Sequence, residues 1–300
     1  MSPLVSVWMV TYNHEKFIAE ALDSVLMQVT DFDFEIVIGE DCSKDGTRAI
    51  IREYEQKYPH LIRAVYHEQN VGASRNAYEF TLPICKGKYV ACLEGDDYWT
   101  DPGKLQKQVD FLEANDDFSA SGHQAIVFYD DGSAESYKFG EDRDRVYTMN
   151  DMISHRKFHT AALMFRSEIF RKTGGIPFNI LSGDRAIFAM LSVFGKVMYF
   201  KEAMCTYRKS SVGMSNYITS YELEKDLNML PWIRKADKHF PVRRLKSFIH
   251  LCIYTYPAQI NFSQLLKHYL LFALASFSYF PKNLGDLKWG TIFFFRKLRK

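Results

Sequence analysis

Short apolar runs alternate with amphipathic helical segments along the first third of the chain. The run at 4–10 is rich in β-branched residues and predicts a strand, and apolar positions then recur at helical spacing over 17–26. Strands separated by helices of this length predict a mainly parallel sheet with right-handed crossovers. Further strands are predicted at 34–38, 61–66 and 89–93, with helices ending near Tyr58 and Cys85.

The same alternation continues through the middle of the chain and then gives way to helix alone. The charged stretch 129–147 is poor in aliphatic residues and predicts a hairpin or an excursion from the sheet. From about residue 217 the pattern is helical without matching strands, so we expect an α/β domain over 1–215 and a helical C-terminal segment over 216–300. Between them the pattern predicts helices at 105–114 and 184–194 and strands at 118–122, 160–165, 197–200 and 204–208.

Composition favours a cytoplasmic globular protein. The chain of 300 residues is 47% hydrophobic, enough for a large core, and its net charge of +2 argues against nucleic acid as a partner. Five cysteines without a CxxC pair predict reduced thiols, and no basic leader precedes an apolar run at the N-terminus. No run approaches the roughly 20 apolar residues of a membrane-spanning helix, so 269–280 predicts a buried or interfacial helix.

The most informative polar segment directly follows the predicted strand at 89–93. Glu94, Asp96 and Asp97 place three carboxylates within four positions at the carboxyl end of that strand, where ligands bind in open α/β sheets. Carboxylates this close repel one another unless protons or a cation neutralise them. Oxygen ligands suit Mg2+ or Mn2+, which can in turn hold a diphosphate. The alternative interpretation is a solvated acidic turn.

Two other predicted strands end in polar groups of the kind that bind a nucleotide. Thr11, Tyr12 and Asn13 follow the first strand, and Glu40 and Asp41 follow the second. Because the carboxyl ends of parallel strands share one edge of the sheet, these groups should converge with the acids on a single crevice. An aspartate can accept a hydrogen bond from the imide N–H of a base, and a tyrosine offers a stacking face.

Four motifs, in this order and spacing, resemble those of the family 2 glycosyltransferases: T-Y-N at 11–13, E-D-C-S-K-D-G-T at 40–47, N-V-G with R-N at 70–76, and E-G-D-D at 94–97. The resemblance covers roughly 3–215. It implies the GT-A fold, an α/β architecture with a Rossmann-like, mainly parallel mixed sheet flanked by helices. It implies a nucleotide-binding half at about 1–100 and an acceptor half at about 101–215. It also implies a nucleotide-sugar donor, with a UDP-sugar as the expectation, and a divalent cofactor, Mn2+ or Mg2+.

The resemblance implies roles for individual residues in the first half. Asp96 matches the principal metal-binding acid of the DxD motif, with Glu94 at the first position, where aspartate is usual, and Asp97 beside it. Asp41 would bind the uracil edge, and Arg75 matches a basic residue near the base and phosphates. The nucleotide-binding set implied in this way is Thr11, Tyr12, Asn13, Asp41, Arg75, Glu94, Gly95, Asp96 and Arg208.

The second half is expected to supply a base and the acceptor side. Asp184, in the segment S-G-D-R, resembles the family's catalytic aspartate, which takes the proton of the acceptor hydroxyl so that in-line attack inverts the anomeric carbon. From the residues alone, the alternative is an ordinary helix N-cap. Arg208 lies in a segment, 207–215, that in relatives closes over the diphosphate, and is either a phosphate ligand or a surface pair. Trp99 and His159 either border the acceptor or serve packing.

The last residues of the chain suggest a surface for contact with lipid. Residues 289–300 combine aromatic side chains with four basic ones. This mixture suits the headgroup region of an anionic membrane and predicts peripheral attachment to the inner face of the cell membrane. The alternative is a C-terminal helix docked on the domain with a solvated tail.

Together these features predict an inverting glycosyltransferase of the hexosyl- or N-acetylhexosaminyl-transferase class. Its acceptor would be a glycan or a lipid-linked glycan in cell-surface polysaccharide or glycolipid synthesis. A nucleotidyltransferase is the first alternative, although the first βα loop lacks the glycine-rich, basic character that holds a triphosphate. The second is a non-catalytic nucleotide-sugar binder, which would not need the set Asp41, Asp96 and Asp184.

Overall fold

One mixed sheet forms the centre of the molecule. The computed structural model describes residues 2–209, 219–256, 260–277 and 284–298. Its strands, in chain order, are β1 (Val5–Thr11), β2 (Phe34–Glu40), β3 (Ile62–Tyr66), β4 (Tyr89–Glu94), β5 (Tyr98–Trp99), β6 (Phe118–Tyr129), β7 (Tyr137–Phe139), β8 (Arg145–Tyr147), β9 (Met164–Arg166) and β10 (Lys196–Lys209). Within the described residues the sheet order is β3-β2-β1-β4-β9-β6-β10-β5, with β7 beside β6 and β8 beside β10.

Helices connect the strands and make up the C-terminal segment. They are α1 (Ile18–Leu26), α2 (Thr47–Lys57), α3 (Ala73–Arg75), α4 (Lys104–Ala114), α5 (Met149–Met152), α6 (Glu168–Lys172), α7 (Gly183–Phe194), α8 (Ser220–Leu223), α9 (Met229–Ala236), α10 (Val242–Thr255), α11 (Phe262–Phe277) and α12 (Leu284–Leu298). A π-helical turn at Asn76–Thr81 and a 3-10 turn at Leu82–Ile84 continue α3, and further 3-10 turns lie at Thr160–Ala162 and Glu224–Asn228.

The predicted parallel arrangement is confirmed for β1 to β4. β1 pairs in parallel with β2 and with β4, and β2 pairs in parallel with β3. β1 and β4 are buried almost throughout, which explains their near-continuous apolar sequences. In register, Thr11 lies opposite Glu40 and Val10 opposite Glu94. The polar strand ends therefore meet at one edge of the sheet, as the sequence predicts.

The segment predicted as a strand at 160–165 is instead a 3-10 turn followed by the short strand β9. Side chains bind the carbonyl groups that a strand would offer to its neighbours. Trp99 Nε1 and Gln108 Nε2 donate to two carbonyl oxygens of this turn, at 2.9 and 3.1 Å. β9 then pairs antiparallel with β4 and β6, which makes the sheet mixed.

Two further predictions differ from the structure in detail. The strands predicted at 197–200 and 204–208 are one long strand, β10, whose register is irregular around Ala203. In the stretch 129–147, β7 runs antiparallel to β6 while β8 pairs with β10. This stretch therefore forms a hairpin with the end of β6 and also extends the sheet beside β10.

The C-terminal segment is helical, as the pattern predicts. The main core includes Met229 and Ile233 of α9 and Leu245 and Ile249 of α10. A second, smaller core joins α10, α11 and α12 through Phe248, Leu251, Tyr254, Leu265, Phe272 and Phe294. None of the described helices is long and apolar enough to span a membrane. The expected boundary at 215 lies outside the described residues, and all five cysteines are unbridged thiols, as their spacing predicts.

Candidate active site

A cavity of about 320 Å3 opens where the polar strand ends meet, between the ends of β1 and β4 and the N-terminus of α7. The residues predicted from sequence that line it are Glu94, Asp96, Asp97, His159 and Asp184. The rest of the wall includes Trp8, Val10, Ala73, Ser74, Ala77, Tyr78, Arg156, Thr160, Leu181, Ile187 and Tyr207. The fold thus brings the acid cluster and the expected base, which are far apart in sequence, into one cavity.

Glu94 ends β4 and is partly buried, with one of its carboxylate oxygens enclosed. Its Oε2 atom has no hydrogen-bond partner among the described residues. Burial of the carboxylate, followed by repulsion from Asp96, raises the pKa of Glu94 to about 7, although Arg156 and Thr160 act in the opposite direction. This side chain therefore exchanges its proton near neutral pH.

The two aspartates of the cluster lie in different surroundings. Asp97 is buried, and its Oδ1 accepts the backbone N–H of Arg208 at 2.8 Å. Burial, followed by the charges of Asp96 and Glu94, raises the pKa of Asp97 well above its ordinary value. Asp96 has 37% of its side chain exposed, and its Oδ2 lies 3.8 Å from Nε2 of His14. Asp96 is thus the member of the cluster that is open to solvent and to an incoming ligand.

Gly95 lets the end of β4 approach β1 closely. Its N–H donates to the carbonyl oxygen of Val10 at 3.1 Å. A Cβ atom on this residue would lie 2.6 Å from Oγ1 of the buried Thr11 and 3.0 Å from Nδ1 of His14. A side chain between the acids would therefore push the two strand ends apart.

The acid cluster fits a divalent cation. Donor atoms of Glu94, Asp97 and His159 lie within 4.8 Å of one another, while Asp96 lies outside this group at the mouth of the cavity. His159 fits less well than the carboxylates. Burial holds its pKa well below the ordinary value, and Nδ1 of the neutral ring accepts a backbone N–H at 3.2 Å, which leaves the proton on Nε2 and no free lone pair. The unpartnered oxygen of Glu94 and the raised pKa values favour the three carboxylates as the ligands.

Asp184 is the second residue of α7 and lines the same cavity as the acids. Ser182 occupies the N-cap position, so Asp184 is not the N-cap that the sequence left open. Its Oδ1 accepts the backbone N–H of Arg185 at 2.8 Å, and its Oδ2 lies 3.3 Å from Nη1 of Arg156. A carboxylate in the first turn is stabilised by the helix dipole. The preceding residue must be glycine, because a Cβ there would collide with the ring of Tyr78.

Sequence reasoning missed Arg156, which lies between the two acidic parts of the cavity. Among the described residues of the cavity wall, it carries the only guanidinium or ammonium group. It pairs with Asp184, and its charge also lowers the pKa of Glu94. Its guanidinium lies 6.0 Å from the ring centre of Tyr207, which in turn stacks on His159 at 3.8 Å. The sequence signal for Arg156 was the basic run H-R-K at 155–157, just before the strand predicted at 160–165.

Asp41 holds the loop that follows β3. Its Oδ1 accepts the N–H of Val71 at 2.7 Å, its Oδ2 accepts the N–H of Gly72 at 3.0 Å, and its own N–H donates to the carbonyl of Thr11 at 3.1 Å. Each carboxylate oxygen retains a second lone pair. Tyr12 is half-buried on the adjoining loop. These residues join the strand-end loops beside the cavity but do not line it.

The loop after β1 is also tied to the loop after β2. Asn13 Oδ1 accepts the N–H of Lys44 at 2.8 Å, and Asn13 donates its own N–H to Ser43 Oγ at 2.9 Å. Glu40 is fully buried, accepts the N–H of Ser43 at 2.6 Å and forms an ion pair with Arg48. Glu40 therefore has a structural role in this loop.

Three residues expected at the site lie away from the cavity, and the structure gives a reason for each. Arg75 forms an exposed ion pair with Glu79 at 2.7 Å. Arg208 pairs with Glu20 at 2.6 Å, and it acts on Asp97 through its N–H and through its charge, which lowers the pKa of Asp97. Trp99 is buried in the core and fixes the turn before β9 through Nε1, which corrects the expectation that it borders the acceptor.

Residues 6–174 of the chain match the family model described as glycosyl transferase family 2. An uncharacterized protein of Mycobacterium tuberculosis is 32% identical over 210 residues, which are 70% of this chain and 60% of that protein. The putative teichuronic acid biosynthesis glycosyltransferase TuaG of Bacillus subtilis is 42% identical over 126 residues, 42% of this chain and 48% of TuaG. The chain therefore spans about 60% of the length of the mycobacterial relative and about half of TuaG.

Solved structures share the fold at low sequence identity. Residues 1–349 of S. aureus TarS in complex with UDP-GlcNAc superpose with a TM-score of 0.68 and 18% identity, covering 90% of this chain and 81% of that one. The mannosyltransferase PcManGT from Pyrobaculum calidifontis, in complex with GDP-Man and Mn2+, gives a TM-score of 0.57 and 18% identity over 97% and 80% of the two chains. These likenesses confirm the predicted GT-A fold with C-terminal helices.

Glutamine in place of Glu94 should stabilise the metal-free protein at alkaline pH and not at acidic pH. The folded-state pKa of Glu94 is raised to about 7, so the native protein retains a proton that the unfolded chain has already lost. Stability contributed by that proton falls as the pH rises from about 4.5 through 7. Urea denaturation in EDTA should show similar free energies for E94Q and wild type at pH 5, and an advantage for E94Q on the order of 3 kcal/mol at pH 8.

The matched control is Glu135→Gln, which removes an exposed carboxylate from a surface stretch. The histidines are unchanged in all three proteins and cancel from the comparison. An advantage of E94Q that is equal at pH 5 and pH 8 would show that Glu94 is not protonated in the folded protein.

Proposed function

This chain belongs to glycosyl transferase family 2, and we propose that it is an inverting enzyme that moves a sugar from a UDP-sugar donor to an acceptor hydroxyl. The observation that carries the proposal is that Asp184 lines the same cavity as Glu94, Asp96 and Asp97. One side offers a carboxylate to accept a proton. The other offers a cluster of carboxylates suited to a cation and a diphosphate.

Asp184 acts as the base in this proposal. A sugar hydroxyl is a weak nucleophile until its proton is removed, so a carboxylate must lie within hydrogen-bond reach of it. Oδ2 of Asp184 takes the proton while the hydroxyl oxygen bonds to the anomeric carbon and the bond from that carbon to the diphosphate breaks. Attack from the side opposite the diphosphate inverts the anomeric centre. Arg156 and the N–H of Arg185 orient the carboxylate before the acceptor arrives.

Glu94, Asp96 and Asp97 form the donor's diphosphate side. A divalent ion held by these carboxylates, Mn2+ or Mg2+, would neutralise the departing diphosphate. Asp96 is the carboxylate exposed to solvent and would contact the ligand directly, while Asp97 is held by the N–H of Arg208. The Mn2+ in the structure of the mannosyltransferase PcManGT, which shares this fold, supports a metal ion in the proposed site.

The nucleotide is proposed to lie over the loops that end β1 and β2. Thr11, Tyr12, Asn13 and Asp41 form these loops, and the remaining lone pairs of Asp41 can accept the imide N–H of uracil. UDP-GlcNAc in the TarS complex supports a UDP-sugar and a hexosyl- or N-acetylhexosaminyl-transferase.

We propose a glycan or lipid-linked glycan acceptor in cell-surface polysaccharide synthesis. The relative TuaG, a putative teichuronic acid biosynthesis glycosyltransferase, supports this class of acceptor.

Exposed apolar side chains on α11 and α12 favour binding to a membrane surface. Leu270, Leu274 and Phe277 recur at helical spacing along one side of α11. On α12, Trp289 and Phe295 are about half exposed. Exposed Lys288 and Arg296 on the same helix add positive charge for anionic headgroups.

Asp184→Asn should abolish transfer and leave donor binding intact. The amide keeps the shape and the hydrogen bond to Arg185 but cannot accept the proton, so turnover should fall by roughly 10²-fold or more. UDP release from a panel of UDP-sugars with Mn2+ measures turnover, and calorimetry with UDP measures binding. Asp116→Asn, at an exposed position, is the control. Full activity of D184N, loss of UDP binding in it, or release of pyrophosphate in place of UDP by the wild type would contradict the proposal.

The wild-type protein should sediment with vesicles that contain phosphatidylglycerol and not with neutral phosphatidylcholine vesicles. Replacing both Trp289 and Phe295 with aspartate should weaken this binding by roughly tenfold or more, because it removes buried apolar area and adds negative charge. Val29→Asp changes an exposed apolar residue outside the C-terminal segment and should leave binding unchanged. Equal sedimentation with both lipids, or full binding by the double variant, would contradict the proposed contact with an anionic membrane.

A further inference from the structure

The C-terminal segment reaches back to the start of the helix that carries Asp184. Asp226 lies in the 3-10 turn before α9 and is fully buried. Its Oδ1 accepts the backbone N–H groups of Leu181 at 3.1 Å and Ser182 at 2.7 Å, and its Oδ2 forms an ion pair with Arg185. We infer that Asp226 is a positioning residue for the base, so that the C-terminal segment completes the active site.

The backbone contacts of Asp226 fix the residues just before α7. Ser182 is the N-cap residue of α7, but its side chain makes no capping hydrogen bond. The first N–H groups of a helix have no partner within the helix and attract a negative charge. Asp226 supplies that charge from a segment more than 40 residues further along the chain. The turn that leads into Asp184 is therefore fixed by an element outside the sheet domain.

A second anchor lies on the other side of Asp184. The guanidinium of Arg185 pairs with Asp226, lies 5.4 Å from the ring centre of Phe248 and places Nη2 3.4 Å from Sγ of Cys252. Both of the latter residues belong to α10. The residues at 182 and 185 are thus both held by the C-terminal segment, while the side chain of Asp184 between them points into the cavity.

This arrangement predicts that Asp226 affects the chemical step more than donor binding. The donor's diphosphate side is built from the end of β4, whereas the hydrogen bonds and the ion pair of Asp226 go to Leu181, Ser182 and Arg185. The base, in contrast, is placed by the turn at 181–185, and a displacement of about 1 Å in a reacting group costs roughly 100-fold in rate. The inference rests on the proposed role of Asp184 as the base, and it concerns how that base is placed.

Asp226→Asn tests the inference with little change in volume. The neutral amide oxygen is a weaker acceptor for the two N–H groups than the carboxylate, and the pairing with Arg185 is lost. We expect kcat for UDP release from UDP-sugars to fall by roughly 10- to 100-fold, with KM for the donor and the Kd of UDP within threefold of wild type. Amide exchange at 181–185 should become faster. The control is Asp237→Asn. The carboxylate of Asp237 accepts one N–H in an exposed turn of the same segment, so this variant should leave both kcat and amide exchange at 181–185 unchanged.

A double variant keeps the test decisive if the buried charge of Arg185 destabilises D226N. Arg185→Met combined with Asp226→Asn removes both charges and should restore the folding stability. The inference requires kcat to remain low in this double variant, and recovery of kcat together with stability would overturn it. A folded D226N protein with wild-type kcat and unchanged amide exchange would also overturn it. If the wild type releases no UDP from any UDP-sugar, the proposed function fails, while amide exchange at 181–185 still decides whether Asp226 fixes the turn.

Discussion

Glu94 and Asp97 hold enclosed carboxylates within the same short segment as Asp96, and the repulsion among these three groups sets the chemistry of the cavity. Burial favours the protonated forms of the two inner acids, because it raises both pKa values. The N–H of Arg208 and the charge of Arg156 offset part of what remains. A site that holds extra protons near neutral pH is one that a divalent cation can occupy by displacing them.

A second part of the cavity wall keeps one carboxylate in place. Asp184 is held by Arg156 and by the first turn of α7. The start of this helix is held by Asp226, which binds the N–H of Ser182 and pairs with Arg185. These contacts join the C-terminal segment to the sheet domain. The two walls therefore differ in origin, one from the end of a central strand and the other from a helix start fixed by distant packing.

Local patterns in the sequence were enough to predict the sheet and one wall of the site. The apolar strands and the helices between them predict parallel pairing of β1 to β4, and this pairing brings Thr11, Glu40 and Glu94 to one edge of the sheet. The turn at 160–162 could not be read in this way, because side chains of Trp99 and Gln108 bind its carbonyl groups.

Arg156 and Asp226 also escaped prediction. Each acts across a long stretch of chain, Arg156 on Asp184 and Asp226 on Ser182. Arg208 was identified from its motif, but its guanidinium is bound by Glu20, and its hydrogen bond to the site comes from its backbone N–H. Contacts of this kind depend on tertiary packing, which the spacing of residue types does not encode.

The most direct measurement is anomalous diffraction from crystals of the protein grown with UDP and Mn2+. The account predicts one manganese peak in direct contact with a carboxylate oxygen of Asp96 and with the diphosphate, with Asp184 on the far side of the cavity. A diphosphate bound in the cavity without manganese, or manganese bound away from Glu94, Asp96 and Asp97, would contradict it.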